Sequence, residues 1–211
     1  MNRKFISKSN FVLRKVLNSD AGLEILKDIV ESILDIKIEK IKLNPYLYKR
    51  ERYLPKEENF GIADVRILTE NNEEINIGIQ FVDGKYIPTK ILMYYEQIHL
   101  NQLEYEDERK FAKTITINII DFIYFKFEEI LKKIKIECNE NFVKNEELEL
   151  YIIQLAKFKP EKCVEFNRKE QWITYFKGDN KELIEKAKNE NEYIKKFDDL
   201  LENYWNNEKM E

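Results

Sequence analysis

Apolar residues recur at helical spacing in NFVLRKVLNSDAGLEILKDIVESIL, which covers residues 10–34. The segment NSDAG interrupts this stripe with residue types that favour helix caps and turns. The pattern therefore predicts two helices, the second of which is capped by Ser19 or Asp20. The predicted stripe consists of Val12, Val16, Leu23, Leu26, Ile29, Val30, Ile33 and Leu34, with Ile25 beside it.

Alternation of apolar and polar residues predicts the first strands. IKIEKIKLNP (residues 36–45) alternates until Pro45, as a strand would. FGIADVRILTE (residues 60–70) and EINIGIQFVD (residues 74–83) are separated only by NNE, which is typical of a β-hairpin. The pattern therefore predicts one strand followed by a hairpin.

Further helices and strands are predicted along the rest of the chain. Pro88 stands near the start of a predicted helix at residues 84–104. TITINIIDFIYF (residues 114–125) is strongly apolar and β-branched, which predicts an interior strand buried on both faces. ELELYIIQLAKF (residues 147–158) predicts a final strand, and residues 181–205 predict one or two C-terminal helices. This order of elements predicts an α/β fold with a mixed central β-sheet flanked by helices.

Net charge limits the classes of partner. The chain has 211 residues and a formal net charge of −4, so a DNA partner would have to be held by a local basic patch. No apolar run approaches the ~20 residues that a membrane-spanning helix needs, so we expect no membrane partner. Cys138 and Cys163 fit neither a disulfide framework nor a metal-ligand spacing, which favours reduced thiols and a cytoplasmic location.

Two segments concentrate basic residues. The first mixes them with tyrosines directly before the hairpin, a combination suited to phosphates or unpaired bases, with an ordinary solvated loop as the alternative. It contains Lys49, Arg50 and Arg52. The second contains Lys132, Lys133 and Lys135. The acidic C-terminus would repel DNA, and we expect its Tyr204 and Trp205 to be anchors for a protein partner instead.

The two hairpin strands carry polar residues with period two. Asp64 and Arg66 share one face of the first strand, and Gly78 and Gln80 share one face of the second. If these faces coincide, they form one polar patch, which is either the solvated side of the sheet or part of a site. A glycine inside a strand, such as Gly78, marks a bulge or a close approach by another group.

The succession of motifs resembles the PD-(D/E)xK nuclease family transposases, which are also described as recombination-promoting nucleases. The motifs are SNFVLRKVL, the hairpin, YIPTKILMYYEQIHLNQL, TITINIIDF and LELYIIQLAKF, in that order. The resemblance implies a restriction-endonuclease-like (PD-(D/E)xK) core with C-terminal helices. It further implies a nuclease-like domain at residues 1–176 and a helical extension at residues 177–211 packed on the same domain.

The resemblance assigns roles to hairpin residues. Asp64 matches the metal-binding aspartate of the family, and Gln80 matches the third position of its Glu-x-Gln or Glu-x-Lys motif. Gly78 stands where the family has a metal-binding glutamate. Because Mg²⁺ prefers oxygen ligands that usually include one or two carboxylates, Asp64 alone predicts a weak or lost metal site. Asn10 and Gln154 also replace family acids, which favours the same interpretation.

The predicted helix at residues 84–104 carries further candidates. Lys90 matches an arginine that opens this helix in the family, and we expect it to contact nucleic acid. Glu96 is the candidate for a migrated carboxylate that would restore the metal site, and an exposed helix charge is the alternative. His99 is the only histidine, and its position is more typical of a surface or structural residue than of a catalytic base.

Two functional hypotheses follow. The first is a catalytically impaired pseudoenzyme that binds nucleic acid or a protein, for example as a mobile-element-encoded inhibitor of a nucleic-acid-targeting defence system. The second is an active Mg²⁺-dependent DNA endonuclease that uses Asp64 with Glu96. Gly78 and Asn10 favour the first hypothesis. Mg²⁺ is the expected cofactor of an active enzyme, and otherwise we expect none.

Overall fold

The computed structural model describes residues 10–43, 62–71, 73–80, 113–135, 148–163 and 165–208. The helices of these segments are α1 (Asn10–Leu17), α2 (Asp20–Leu34), α3 (Arg168–Lys177), α4 (Lys181–Glu190) and α5 (Glu192–Glu208). The strands are β1 (Ile41–Leu43), β2 (Ile62–Thr69), β3 (Glu74–Gln80), β4 (Thr114–Ile120), β5 (Leu131–Lys135) and β6 (Leu148–Gln154). Two 3₁₀ helices cover Leu155–Lys157 and Pro160–Lys162.

The two N-terminal helices are confirmed. Ser19 is the N-cap of α2, and its hydroxyl accepts a hydrogen bond of 3.2 Å from the backbone N–H of Gly22. A Cβ atom added to Gly22 would lie 2.3 Å from the carbonyl oxygen of Val16, so only glycine fits at this turn between the helices. The buried side of α2 includes Ile25, which the sequence pattern placed beside the stripe.

The described strands form one mixed sheet in the order β1-β2-β3-β4-β6-β5. The pairs β1/β2, β2/β3 and β5/β6 are antiparallel, whereas β3/β4 and β4/β6 are parallel. The strand β4 lies between two parallel neighbours, and each of its residues is buried. The α/β fold with a mixed central sheet flanked by helices is therefore confirmed, as is the interior position of β4.

One face of the sheet is apolar and forms the main core with the helices. Isoleucines alternate along β3 and β4 with period two, which directs them to a single face. The helices α1 and α2 cover this face, and α5 packs against both of them. The buried sheet residues of this core are Ile67, Ile75, Ile77, Ile115, Ile117, Ile119, Tyr151 and Ile153.

Three predicted strands are shorter than the alternation suggests. β1 begins only at Ile41, because the N–H of Ile38 donates to Glu31 and those of Glu39 and Lys40 donate to Glu70. β4 ends at Ile120 instead of continuing to residue 125, and β6 ends at Gln154 in a 3₁₀ turn. Side-chain acceptors thus capture backbone donors that a longer β1 would have used.

The sequence pattern did not predict the helix α3 or the strand β5. The helix α3 buries Gln171, Trp172, Ile173, Thr174, Tyr175 and Phe176 consecutively, so it shows no polar stripe. The strand β5 has the sequence LKKIK and, among the described strands, pairs with β6 alone; lysines are typical of such an edge position.

The C-terminal helices share the main core. α3 and α5 both contact α2, and residues of α4 and α5 lie in the same buried cluster as the sheet. The boundary between residues 176 and 177 remains a prediction. None of the helices in the described segments is both long and apolar enough to cross a bilayer. The predicted helix at residues 84–104 lies outside the described residues.

Candidate functional site

The strand register places Asp64 and Gly78 side by side. Asp64 pairs with Gly78 in the antiparallel β2/β3 ladder, and Gly78 pairs with Asn118 in the parallel β3/β4 ladder. Paired residues share a face of the sheet, so the three positions form one row across it, here called the Asp64 row. Neighbouring strands lie about 4.8 Å apart, so Asp64 and Asn118 flank a gap of two strand spacings in which Gly78 contributes no side chain.

The polar patch predicted for the hairpin lies on the face of the Asp64 row. Arg66 pairs with Asn76, and Gln80 pairs with Ile62 at the end of β3. This is the face opposite the helix-covered isoleucines. The roles predicted for Asp64 and Gln80 remain predictions, because only their backbone positions are described.

Asn118 is a buried polar residue of the Asp64 row that the sequence pattern did not single out. It is 9% exposed, and its Nδ2 atom donates to the carbonyl of Tyr151 and to Oγ1 of Thr116, at 3.4 Å in both cases. Thr114 and Thr116 are buried on the same face of β4. The polar residues at every second position of TITINII could have identified this polar face of β4 from the sequence.

Gln154 holds the loop that follows β4, residues 121–130, here called the aromatic loop. Its Oε1 atom accepts from the N–H groups of Tyr124 and Phe125 at 2.9 and 2.8 Å, and its Nε2 atom donates to the carbonyl of Phe125 at 3.2 Å. Gln154 is fully buried. These bonds prevent β4 from continuing to residue 125, because the side chain of Gln154 takes the backbone N–H groups that a longer strand would pair with a neighbour.

The same contacts give the replacement of an acid at Gln154 a structural explanation. A glutamate could accept the two N–H bonds but could not donate to the carbonyl of Phe125. Lys157 completes the arrangement by donating to the carbonyls of Phe125 and Phe127, with Nζ 4.7 Å from the ring centre of Phe127. Gln154 and Lys157 therefore shape the aromatic loop, and the departure at Gln154 is not an argument about the metal site.

Lys132 and Lys133 of the predicted basic run are each paired with an acid. Lys132 pairs with Glu129, and Lys133 pairs with Glu149 at 2.8 Å. Lys133 also lies over the ring of Tyr151, 5.2 Å from its centre. Lys132 and Lys133 are consecutive strand residues, so their side chains point to opposite faces of the sheet.

Glu149 is the acid that these cations neutralise. Burial raises the pKa of its carboxyl group, but hydrogen bonds from Lys133 and Tyr151 and the charge of Lys113 outweigh burial, so the pKa is lowered overall. The hydroxyl of Tyr151 donates to Glu149 at 2.9 Å, and Lys113 lies 3.6 Å from it. The cluster is a buried ion network at the end of the sheet where β4 and β6 begin.

Other candidates have structural surroundings or lie outside the described residues. Tyr204 packs against the main core, and burial raises the pKa of the Cys163 thiol, which disfavours a reactive thiolate. The candidates outside the described residues are Lys49, Arg50, Arg52, Lys90, Glu96 and His99. Nothing is described of the side chains of Asn10 and Trp205.

The hairpin continued by a parallel strand, with an aspartate on its first strand, is the arrangement that the motif order implied. The family model of PD-(D/E)XK nuclease family transposases matches residues 7–211. This chain belongs to that family. Neither the curated proteins nor the solved structures contain a match. The restriction-endonuclease-like core and the family resemblance are therefore confirmed.

PD-(D/E)XK nucleases generally use divalent metal ions, which polarise the phosphate and activate water. The described part of this family member does not fit such an ion. The Asp64 row contains one carboxylate, one glycine and one amide, and no group of three or more His, Cys, Asp or Glu residues in the described segments could hold a metal.

Proposed function

We propose that this protein binds nucleic acid on the scaffold of a PD-(D/E)XK nuclease and that its metal-dependent cleavage is impaired. The register of the hairpin is the observation that carries the proposal. Gly78 pairs directly with Asp64, and the resemblance implies a metal-binding glutamate of the family at this position. The protein would thus retain the family's substrate while lacking half of its acidic ligands.

The chemistry of the remaining groups supports impairment. Mg²⁺ dehydrates reluctantly and requires near-octahedral oxygen ligands at about 2.1 Å, so a lone carboxylate holds it weakly. Gln80 carries no charge and cannot act as a base, and its amide can only orient a water or a phosphate by hydrogen bonding. Because Gln154 has a structural explanation, the proposal does not depend on it.

Binding is supported by family membership and by the polar face. A nuclease family indicates a nucleic-acid ligand, and the Asp64 row lies on the polar face of the hairpin, which also carries Arg66 and Gln80. The contacts with phosphate that we propose remain Lys49, Arg50, Arg52 and Lys90. The roles of a protein partner and of a defence-system inhibitor remain predictions from the sequence.

Cleavage and binding are tested together. Purified protein and an Asp64→Ala variant are incubated with supercoiled DNA and Mg²⁺ or Mn²⁺, and binding of labelled single-stranded and duplex oligonucleotides is measured by fluorescence anisotropy. We expect binding without nicking. Nicking that disappears in Asp64→Ala would instead support the active endonuclease, and loss of that nicking in Glu96→Gln would identify the migrated carboxylate.

Restoring the missing carboxylate gives a second test. Gly78→Glu should raise the affinity for Mn²⁺ at least about tenfold, because it adds an anionic ligand beside Asp64. Gly78→Gln is the matched control, since it has nearly the same size without the charge. Titration calorimetry of both variants, with and without Asp64→Ala, checks the result. Equal affinities for the two Gly78 variants would show that this position does not face a metal site.

A further inference from the structure

The aromatic loop exposes two adjacent apolar side chains. Ile123 is 64% exposed and Tyr124 is 44% exposed. Across the described segments, Ile36 is the one other large hydrophobic residue in the exposed class, at 37%. Two of three such residues therefore stand next to each other at the tip of one loop, where their exposure needs a reason.

The loop is built to hold this tip in place. Gln154 and Lys157 bind its backbone at Tyr124, Phe125 and Phe127. Phe122, Phe125 and Phe127 turn inward and pack on a second apolar cluster that contains Ile120, Leu150 and Ile152. The ring of Tyr124 meets that of Phe125 edge-on, with centroids 5.1 Å apart. The exposed pair thus belongs to an ordered loop.

The aromatic loop begins close to the Asp64 row. The loop starts directly after Ile120, which pairs with Gln80 in the β3/β4 ladder. Gly78 lies two residues back along β3, so the start of the loop is about 8 Å from Gly78 when strand spacing and rise are combined. A polymer that crosses the Asp64 row towards this end of the sheet would reach the loop.

We infer that Ile123 and Tyr124 form a stacking platform for an unpaired base of the nucleic acid bound at the Asp64 row; the inference rests on the function proposed above. An aromatic ring is a sequence-tolerant stacking surface for bases. A stable protein interface buries about 800 Å² on each partner, which is far more than two side chains offer.

The charge of the aromatic loop favours base stacking over phosphate binding as its contribution. Its acidic residues are Asp121, Glu128 and Glu129, and its basic residue is Lys126. The loop therefore has no net attraction for a phosphate backbone. Its contribution to binding should depend on the base faces and should be insensitive to salt, unlike that of lysine and arginine contacts.

Anisotropy titrations of the full chain test the inference. The probes are a labelled single-stranded oligonucleotide and its duplex, at several salt concentrations. Tyr124→Ala should weaken single-strand binding about tenfold, which corresponds to the loss of about one stacked base, and should leave the salt dependence unchanged. Tyr124→Phe keeps the ring and should bind like the parent. Ile36→Ala removes an exposed apolar residue between α2 and β1 and is the matched control.

The outcomes distinguish this inference from the proposed function. A parent protein that binds neither oligonucleotide overturns both. A parent that binds, with unchanged single-strand affinity in Tyr124→Ala, overturns the stacking platform alone, as does an equal loss in Tyr124→Phe. A Tyr124→Ala variant with unchanged DNA affinity but altered self-association in sedimentation would show that the loop contacts protein, and the inference would be wrong. Thermal unfolding of each variant confirms that the fold is intact.

Discussion

Asp28 in the helical layer and Asp64 in the sheet have contrasting neighbours. Asp28 is 2% exposed, and its carboxylate accepts bonds from Arg168, from Trp172 Nε1 at 2.7 Å and from Asn191 Nδ2 at 3.2 Å. The partner of Asp64 in the ladder is Gly78, which supplies neither a donor nor a second acid. A carboxylate that stabilises a fold is surrounded by donors, and one that holds a metal is accompanied by other acids.

The difference in neighbours indicates different roles for Asp28 and Asp64. Asn191 also caps α5, since its Oδ1 atom accepts from the N–H of Tyr193 at 3.0 Å. Asp28 therefore joins α2 to α3 and to the residue that caps α5. Asp64 lies on a strand of the family's core, and its partners across the row are Gly78 and Asn118, neither of which is an acid.

The largest expected effect is on the free energy of unfolding, and it differs between the two aspartates. Asp28→Ala should lower the free energy of unfolding by about 3 kcal/mol, because buried donors of Trp172 and Asn191 lose their acceptor. Asp64→Ala should cost less than about 1 kcal/mol, since a site residue contributes little to stability. Urea denaturation of both variants measures the difference.

A surface pair provides the control for Asp28. Glu24 and Lys196 form an exposed ion pair at 3.2 Å between α2 and α5, the helices that Asp28 also connects. Glu24→Ala should cost far less than Asp28→Ala, because solvent screens an exposed ion pair. Comparable losses for Asp28→Ala and Glu24→Ala, or a larger loss for Asp64→Ala, would contradict the comparison.

The next effect concerns Gln154, where the resemblance implies an acid in the family. Gln154→Ala should cost about 2 kcal/mol, because the N–H groups of Tyr124 and Phe125 lose their acceptor, whereas the carbonyl of Phe125 keeps Lys157 as a donor. Gln154→Glu should cost less than half of this, since both acceptor bonds are kept. Thermal unfolding gives the ranking, and a gain in Mn²⁺ affinity in Gln154→Glu would mean that the position belongs to a metal site after all.

The smallest expected effect is a pH dependence at Glu149, a buried acid paired with lysines. Its pKa in the folded protein lies below the ordinary value of 4.5, so its stabilising contribution is complete above pH 4.5 and disappears as the pH falls through the folded pKa. Glu149→Gln should cost about 1 kcal/mol at neutral pH and progressively less in acid. Unfolding curves from neutral to acidic pH test this, and a difference that does not change with pH would exclude the charge as its cause.

The sequence predicted those parts of the fold that depend on local periodicity. The stripe of α2, the choice of Ser19 or Asp20 as its cap and the alternation in the hairpin are properties of short segments. They predicted one polar patch with Asp64 and Gly78 if the faces of the two strands coincide, and the strand register meets this condition. β4 was identified as interior from the apolar, β-branched run TITINIIDFIYF, although the strand covers only Thr114–Ile120 of it. The helix α3 was missed because six consecutive buried residues leave no amphipathic pattern to detect.

Other features depend on contacts between distant residues. Gln154 meets Tyr124 across thirty positions of the chain, so the end of β4 and the shape of the aromatic loop could not be read from TITINIIDFIYF alone. Asn118 joins the Asp64 row only because a parallel register aligns β4 with β3. The lysines of β5 look like a cationic patch until the partners Glu129 and Glu149 are known.

The carboxylate of Asp28 links residues separated by 140, 144 and 163 positions along the polypeptide. During synthesis, α2 therefore leaves the ribosome long before Arg168, Trp172 and Asn191, whose side chains will donate hydrogen bonds to Asp28. Until α3 and α5 have been translated, this acid must stay hydrated and the isoleucine face of the sheet lacks part of its cover. The last quarter of the chain thus sets the moment at which the nascent protein can become compact.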